Sequence, residues 1–274
     1  MIGRILAVAG TEFRIALRNR WVLTATLIMV LFALALTFAG SAPTGVLGVD
    51  MLTIAVASMT TLSVYLSPLL ALMIAFDSIA GEVERGSLSL ILSYPVSRGE
   101  ILLGKFVAHL AALAIAVGIG FGAAGLVTAF LGGAGTQSLI ALLRLVLTSI
   151  LLGAVFLALG YALSSMSGSS TAAAGLSAGV WLVFVVLFDL GLLGAIVMDE
   201  GGVFTQRIFP WLMTANPADA FRLWNIGASD GVAMALGLSG ATSGLPAWSA
   251  PLSLLLWLPL GFALARLSFG KVEP

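Results

Sequence analysis

Long apolar runs alternate with short polar segments along most of the chain. A helix rises 1.5 Å per residue, so about 20 apolar residues cross the hydrocarbon core of a bilayer. Six runs approach or exceed this length, and the pattern predicts an all-α, polytopic membrane protein with six transmembrane helices. The runs are Trp21–Ala39, Ala55–Phe76, Phe106–Leu131, Leu145–Leu163, Ala172–Met198 and Pro251–Ala265. Pro68 predicts a kink in the second span, and the last span is short and contains Pro259.

A different pattern precedes the first span. Within residues 1–20, apolar side chains from Ile2 to Leu17 recur at helical spacing, while Arg4, Arg14 and Arg18 lie away from that stripe. This pattern predicts an amphipathic helix that lies in the inner membrane interface. The alternative is that these residues are only the cytoplasmic start of the first span.

The distribution of Lys and Arg predicts the orientation. With the N-terminus inside, nine of the 12 basic residues lie in inner segments, which favours a cytoplasmic location for both termini. The longest outer segment is then residues 199–250. Its tryptophans and phenylalanines make it too apolar for a disordered linker. We expect short interfacial or re-entrant helices there, with a surface for an outer partner.

Composition narrows the class of protein further. Of the 274 residues, 60% are hydrophobic and only 9% are charged, whereas soluble chains carry roughly 25% charged residues. The lipid bilayer is therefore the main solvent of the surface. A net charge of zero leaves no basic face for nucleic acid. With no Cys and one His, we expect no disulfide, no thiol catalysis and no metal site.

Charge concentrates in one inner loop, Asp77–Lys105, where four acidic and three basic residues lie within 29 residues. Ser97 and Glu100 have the spacing of a capping box that opens the third span. Before them, a short apolar run follows Gly86 and ends near Pro95. We expect a short helix across the inner membrane face, whose apolar side could enter a groove on a cytoplasmic protein. The alternative is a folded loop with snorkelling charges.

Two stretches of this loop, Gly81–Leu88 and Leu92–Arg98, resemble the ABC-2 type transporter permeases. The N-terminal interfacial helix and the six spans also match, so the resemblance covers nearly the whole chain. It implies a single ABC-2 transmembrane domain over residues 1–274 in a bacterial inner membrane. It also implies a homodimer that binds two cytoplasmic ATPase subunits.

In that family the loop after the second span, here residues 77–105, is the coupling helix that docks into each ATPase. The resemblance thus implies docking charge at Glu82, Glu84 and Arg85, a turn at Gly86, and groove-filling by Leu88 and Leu92. The full set of candidate coupling residues is Asp77, Glu82, Glu84, Arg85, Gly86, Leu88, Leu92, Tyr94, Pro95 and Arg98. No Walker A pattern occurs in the chain. We therefore expect a non-catalytic subunit without a cofactor, with ATP and Mg bound by the partner ATPase.

Three stretches, Leu17–Trp21, Asp77–Glu82 and Tyr94–Phe106, resemble more narrowly the permeases that serve maturation of the copper site of nitrous oxide reductase. This resemblance implies a periplasmic partner, NosD, at the outer face. Nine scattered Met residues form no Met-rich tract, so we interpret them as packing residues and not as a copper path. The alternative function within the same family is export of a drug, lipid or peptide. A function of a different class is that of an intramembrane enzyme or a proton-driven carrier.

Three further features have two interpretations each. Asp189 lies inside the fifth apolar run. Placing a carboxylate within the membrane costs several kcal/mol, so such a residue is first considered a candidate functional residue. We favour a break of the span near Phe188, with Asp189 at the outer interface or on a re-entrant turn. The alternative is that Asp189 lines the dimer cavity. His109 is interpreted as an interfacial or packing residue, with a ligand or a proton carrier as the alternatives. Ser164–Ser170 is interpreted as a flexible inner turn, since the chain has no companion base for a hydrolase.

Overall fold

A computed structural model describes residues 2–18, 20–39, 50–235 and 245–272, and all regular structure in these ranges is helical. Two π-helical turns, Val183–Leu187 and Phe204–Ile208, interrupt the α-helices. The α-helices are α1 Ile2–Arg18, α2 Arg20–Ala39, α3 Met51–Ala75, α4 Asp77–Glu84, α5 Ser87–Leu92, α6 Arg98–Gly132, α7 Thr136–Met166, α8 Ser170–Leu182, α9 Phe188–Asp199, α10 Phe209–Ala215, α11 Pro217–Gly227, α12 Asp230–Ala235 and α13 Ser249–Gly270.

Five helical stretches of the described chain are long and apolar enough to cross a membrane. They are Met51–Glu84, Arg98–Gly132, Thr136–Met166, Ser170–Asp199 and Ser249–Gly270. The all-α, multi-span architecture is thereby confirmed. The first expected span coincides with α2, which is 20 residues long. The count of six spans, the cytoplasmic termini and the interfacial position of α1 remain predictions.

The centre of the bundle is the contact between α3 and α7, which α6 and α13 flank. Gly160 of α7 lies so close to α3 that an added Cβ would meet Ala75 and Leu72. A buried hydrogen bond, which Ser63 Oγ donates to Ser149 Oγ at 2.8 Å, joins the same two helices. Small and hydroxyl side chains of this kind let helix backbones approach closely in membranes. α1 and α2 pack on α6 from outside this centre.

We call the end of the bundle that carries residues 77–105 the inner end and the opposite end the outer end. At the outer end, Asp50 caps α3 by accepting a 2.8 Å hydrogen bond from the Thr53 amide. Its second oxygen accepts from the Gly135 amide at 2.9 Å and from Ser138 Oγ at 2.7 Å. Burial raises the pKa of Asp50, but these hydrogen bonds outweigh it and hold the pKa below 3.8. One carboxylate thus ties α3 to the turn between α6 and α7.

Asp50→Ala should lower the free energy of unfolding by about 1–2 kcal/mol at neutral pH, because it removes a helix cap and leaves two donors without their acceptor. Since the folded-state pKa is depressed, this stability is complete above the ordinary carboxyl pKa and disappears as pH falls below 3.8. Thermal unfolding in detergent at several pH values measures the difference. Equal stability of Asp50→Ala and the native chain at neutral pH would contradict the cap.

Candidate functional site

The candidate coupling loop begins where α3 ends and α4 changes direction, and Ser164 of α7 bridges that break. The buried Ser164 hydroxyl donates to the Phe76 carbonyl at 2.6 Å and accepts from the amides of Ile79 at 3.1 Å and Ala80 at 2.9 Å. These are backbone groups that a helix end leaves unpaired. The junction between α3 and α4 is therefore fixed by a side chain from another helix.

The turn after α7 also contacts α4. Ser170 Oγ hydrogen-bonds Asp77 Oδ1, and the Ser170 amide donates to Glu84 Oε2 at 2.9 Å. Arg85 pairs with the other Asp77 oxygen at 3.2 Å on an exposed surface. The segment Ser164–Ser170, interpreted from the sequence as a flexible turn, is instead bonded to both ends of α4.

Gly86 separates α4 from α5 and has a positive φ of 68°. This left-handed conformation is strained for residues with a Cβ and free of cost for glycine. The chain reverses here so that α5 packs back on α4. The turn expected at Gly86 is present.

A buried ion cluster lies behind α4. Lys105 Nζ of α6 is 2.6 Å from Glu12 Oε1 of α1 and 2.7 Å from Glu82 Oε1 of α4, and the lysine side chain is only 3% exposed. Within the described residues, Glu82 Oε2 has no hydrogen-bond partner. Buried charges are retained only where they are paired, so this cluster holds α1, α4 and α6 together.

Two more side chains extend the cluster to α7. His109 Nδ1 is 2.7 Å from the Tyr161 hydroxyl, and His109 Nε2 lies 3.8 Å from Glu12. The interpretation of His109 as an interfacial or packing residue fits its burial, although its ring is also hydrogen-bonded. Among the described residues, no group of three His, Asp or Glu side chains is arranged to hold a metal ion.

The position of Glu82 differs from the expectation that it carries docking charge. Its carboxylate points into the bundle toward Lys105, because Glu82 lies on the face of α4 that packs against the spans. Sequence reasoning missed both of its companions in the cluster, Glu12 and Lys105. The only signal was a lysine that directly precedes an apolar run and a glutamate within an amphipathic helix.

Leu88 also differs from the expectation that it fills a groove on a partner, since it is 1% exposed within the hydrophobic core. Leu92, one helical turn later, packs against the same core. The apolar side chains of this loop that do face outward are Leu90 and Tyr94, which are 64% and 62% exposed. With three exposed neighbours they form what we call the outward surface, comprising Glu84, Arg85, Leu90, Tyr94 and Pro95.

The end of the loop is anchored as well. The capping box is present, with Ser97 Oγ accepting from the Glu100 amide and the Glu100 carboxylate accepting from the Ser97 amide. Arg98 donates to the carbonyls of Phe269 and Val272 and lies 5.4 Å from the Phe269 ring centroid. The loop, α1 and the end of α13 thus share the inner end of the bundle.

Asp189 lies away from this junction, on α9. The span does not break near Phe188, as the sequence suggested, but widens into the π-turn Val183–Leu187 and continues as a helix to Asp199. Asp189 is about 28 Å along the helix from Ser170, close to the thickness of a hydrocarbon core of about 30 Å. Its carboxylate is 3.2 Å from Arg222 of α11.

The architecture is that of a multi-span membrane protein with an anchored helical loop at one end. Residues 6–273 match the family model described as ABC-2 family transporter protein, so the chain belongs to this family. It is similar to the "Probable ABC transporter permease protein NosY" of Stutzerimonas stutzeri, at 40% identity over 98% of this chain and 99% of the relative. It is also similar to the protein of the same name from Pseudomonas aeruginosa, at 42% identity over 95% of each chain.

Lys105→Met should destabilise the protein by about 3–5 kcal/mol, because it leaves two buried carboxylates without a cation. The chain has a matched control in Lys271, its only other lysine, which is exposed at the same end of the bundle. Thermal unfolding of both variants in detergent measures the difference. If Lys105→Met is as stable as Lys271→Met, the ion cluster does not hold the helices together.

Proposed function

We propose that this chain is the non-catalytic, membrane-spanning subunit of an ABC transporter complex in a bacterial inner membrane. ATP hydrolysis in a separate ATPase subunit, which binds the ATP and Mg, moves the loop of residues 77–105. Family membership supports this role. The observation that carries it is the combination of an exposed outward surface with a loop anchored at Ser164, Lys105 and Arg98.

The anchors determine how force applied to α5 would travel. Ser164 joins the start of α4 to α7, and the Glu12–Lys105–Glu82 cluster joins α4 to α1 and α6. A loop held at both ends cannot absorb a displacement by bending alone. Movement of α5 is therefore passed to the spans, which can tilt and change the outer face.

We propose a division of roles among the candidate coupling residues that follows their exposure. Glu84 and Arg85 supply docking charge, while Leu90 and Tyr94 enter the groove of the ATPase. Glu82, Leu88 and Leu92 instead fix the loop to the permease itself. Asp77 belongs to both groups, since it pairs with Arg85 and with Ser170.

We further propose that the permease is a homodimer bound to two ATPase subunits, with a NosD-like periplasmic protein at the outer face. The exposure of the helix Ser170–Asp199 supports a second copy, since only 11% of the most apolar 18-residue stretch of this helix is buried within the chain. Exposed Trp211 and Trp248 offer an apolar outer surface for the periplasmic partner.

The task we propose for the complex is maturation of the copper site of nitrous oxide reductase. It rests on similarity to two NosY permeases over nearly the whole chain. Deleting the gene for this chain should leave nitrous oxide reductase without its tetranuclear copper centre, and the native chain should restore it. Metal analysis and the absorption spectrum of the purified reductase measure this. A normal copper centre in the deletion strain would favour export of a drug, lipid or peptide instead.

Leu90→Asp should weaken co-purification of the ATPase from membranes by about tenfold or more, because it places a charge in the docked groove, while the chain still inserts normally. Leu88→Asp should instead reduce the yield of folded permease, since Leu88 lies in the core. Leu267→Asp is the matched control, an exposed leucine at the same end of the bundle.

Two results would contradict the assignment. If no ATPase co-purifies with the native chain, the role as an ABC transporter subunit is wrong. If the native chain retains the ATPase and Leu90→Asp retains it equally well, the outward surface is not the docking surface.

A further inference from the structure

The outer half of the fifth span carries a polar cluster that the coupling loop does not use. A π-turn shifts the hydrogen-bond register of a helix, so a carbonyl in the turn can lose its usual partner. Here Asn216 Nδ2 donates to the carbonyl of Phe184, within the turn Val183–Leu187, at 2.8 Å. The Asn216 Oδ1 atom accepts from the Ala218 amide and caps α11. One buried side chain therefore joins the π-turn to the start of α11.

Charged side chains make a second connection between the same elements. Asp219, whose side chain is 1% exposed, accepts from Arg222 at 2.8 Å and from Asn216 at 2.9 Å. Both terminal nitrogens of Arg222 also donate to Asp189 of α9, each at 3.2 Å. The guanidinium thus lies between a carboxylate of α11 and a carboxylate of α9.

The two helices that this cluster joins are held very differently by the rest of the chain. α11 packs against α3, α7 and α13, and its Asn225 donates to Thr148 of α7 at 2.9 Å. By contrast, most of the α9 side chains are exposed, and Leu192 is the one buried residue of that helix. Within one chain, the polar cluster is accordingly the main attachment of α9 to the rest of the bundle.

We propose that Asn216, Asp219, Arg222 and Asp189 form an outer latch that holds α9 against α11, with the π-turn as the hinge about which α9 swings when the latch opens. π-Turns within helices are often found at functional sites. The inference rests on the proposed function, because the swing of α9 is how movement started by the ATPase reaches the outer face.

The charges of the latch make it sensitive to pH. Two carboxylates share one guanidinium, and burial raises the pKa of Asp219 to about 7, with Arg222 opposing this rise and Asp189 adding to it. The other charged groups that the structure describes on outer elements packed against α11 are three. Arg144 of α7 donates to the Ala228 carbonyl beyond the far end of α11, Asp230 opens α12, and Asp50 at the outer start of α3 is bound to Gly135 and Ser138. Protonation of Asp219 therefore leaves one carboxylate for the one guanidinium of the latch.

The direction of the pH effect follows from linkage. Burial and the neighbouring Asp189 carboxylate raise the pKa of Asp219 in the closed latch, and the Asp189 contribution is lost when α9 swings away. The closed state is therefore favoured as pH falls and loses this support as pH rises through about 7. The closed fraction of the latch should therefore decrease between about pH 6 and about pH 8.

The absence of native cysteine allows a direct test. Spin labels are placed at Met198→Cys on α9, which is 87% exposed, and at Leu139→Cys near the outer end of α7. Pulsed electron resonance on the full chain in lipid nanodiscs, with the labelled chain diluted in an excess of unlabelled chain, then measures the distance between the two labels of one copy. The native latch should give a narrow distribution at about pH 6 and a growing second population toward about pH 8. Asp219→Asn should remove this pH dependence.

Two variants that open the latch, Asn216→Ser and Arg222→Gln, should lose the narrow distribution at both pH values. Asn216→Ser keeps an oxygen that can cap α11 but is too short to reach Phe184, so the fold is retained. Arg222→Lys should restore part of the closed population. The matched control is Arg207→Gln, which changes an exposed arginine of the same outer segment.

The latch is refuted if Asn216→Ser and Arg222→Gln keep the native distance distribution. Its titrating group is wrongly assigned if Asp219→Asn retains the native pH dependence. These measurements need no ATPase, so their failure is distinguishable from failure of the proposed function, which is tested by co-purification.

Discussion

The position of Lys105 between two glutamates is the constraint on which the inner end of this protein depends. A buried ammonium group is costly unless it is paired, and its partners here come from two different helices. The pairing is complete only when α1, α4 and α6 are all in place. A helix at the start of the chain and the first helix of the coupling loop are thereby held to the same side chain, although 93 residues separate Glu12 from Lys105.

The outer end has a similar arrangement of charges, but one of its carboxylates is more exposed. Arg222 lies between Asp189 and Asp219 as Lys105 lies between Glu12 and Glu82, so each end has one cation and two carboxylates. The inner carboxylates are both mostly buried, whereas Asp189 is one-third exposed. Water can replace the partner of an exposed carboxylate at much lower cost than that of a buried one. The inner cluster is therefore suited to hold permanently, and the outer cluster is suited to open.

What the sequence predicted well is what depends on neighbouring residues. Apolar runs located the spans, the spacing of Ser97 and Glu100 located the capping box, and Gly86 located a turn. What it missed depends on contacts between distant segments. Whether Leu88 or Leu90 faces outward is set by how α5 lies on the bundle. The bridging role of Ser164 depends on a helix break at Phe76, 88 residues earlier in the chain. The continuity of the fifth span through a π-turn has no local signal either, since it needs Asn216 to complete its hydrogen bonds.

These connections define which parts of the molecule can move relative to one another. α6 and α7 are joined to the coupling loop at the inner end, and the turn between them is joined to α3 through Asp50 at the outer end. Because these three helices are tied at both ends, we expect a displacement of α5 to tilt them together and not to separate them. The helix Ser170–Asp199 is outside this bracing, with its inner start tied to α4 through Ser170 and its outer half held by Arg222 and Asn216. In the function that we propose, it is consequently the element through which a tilt of the braced helices becomes a change at the outer face.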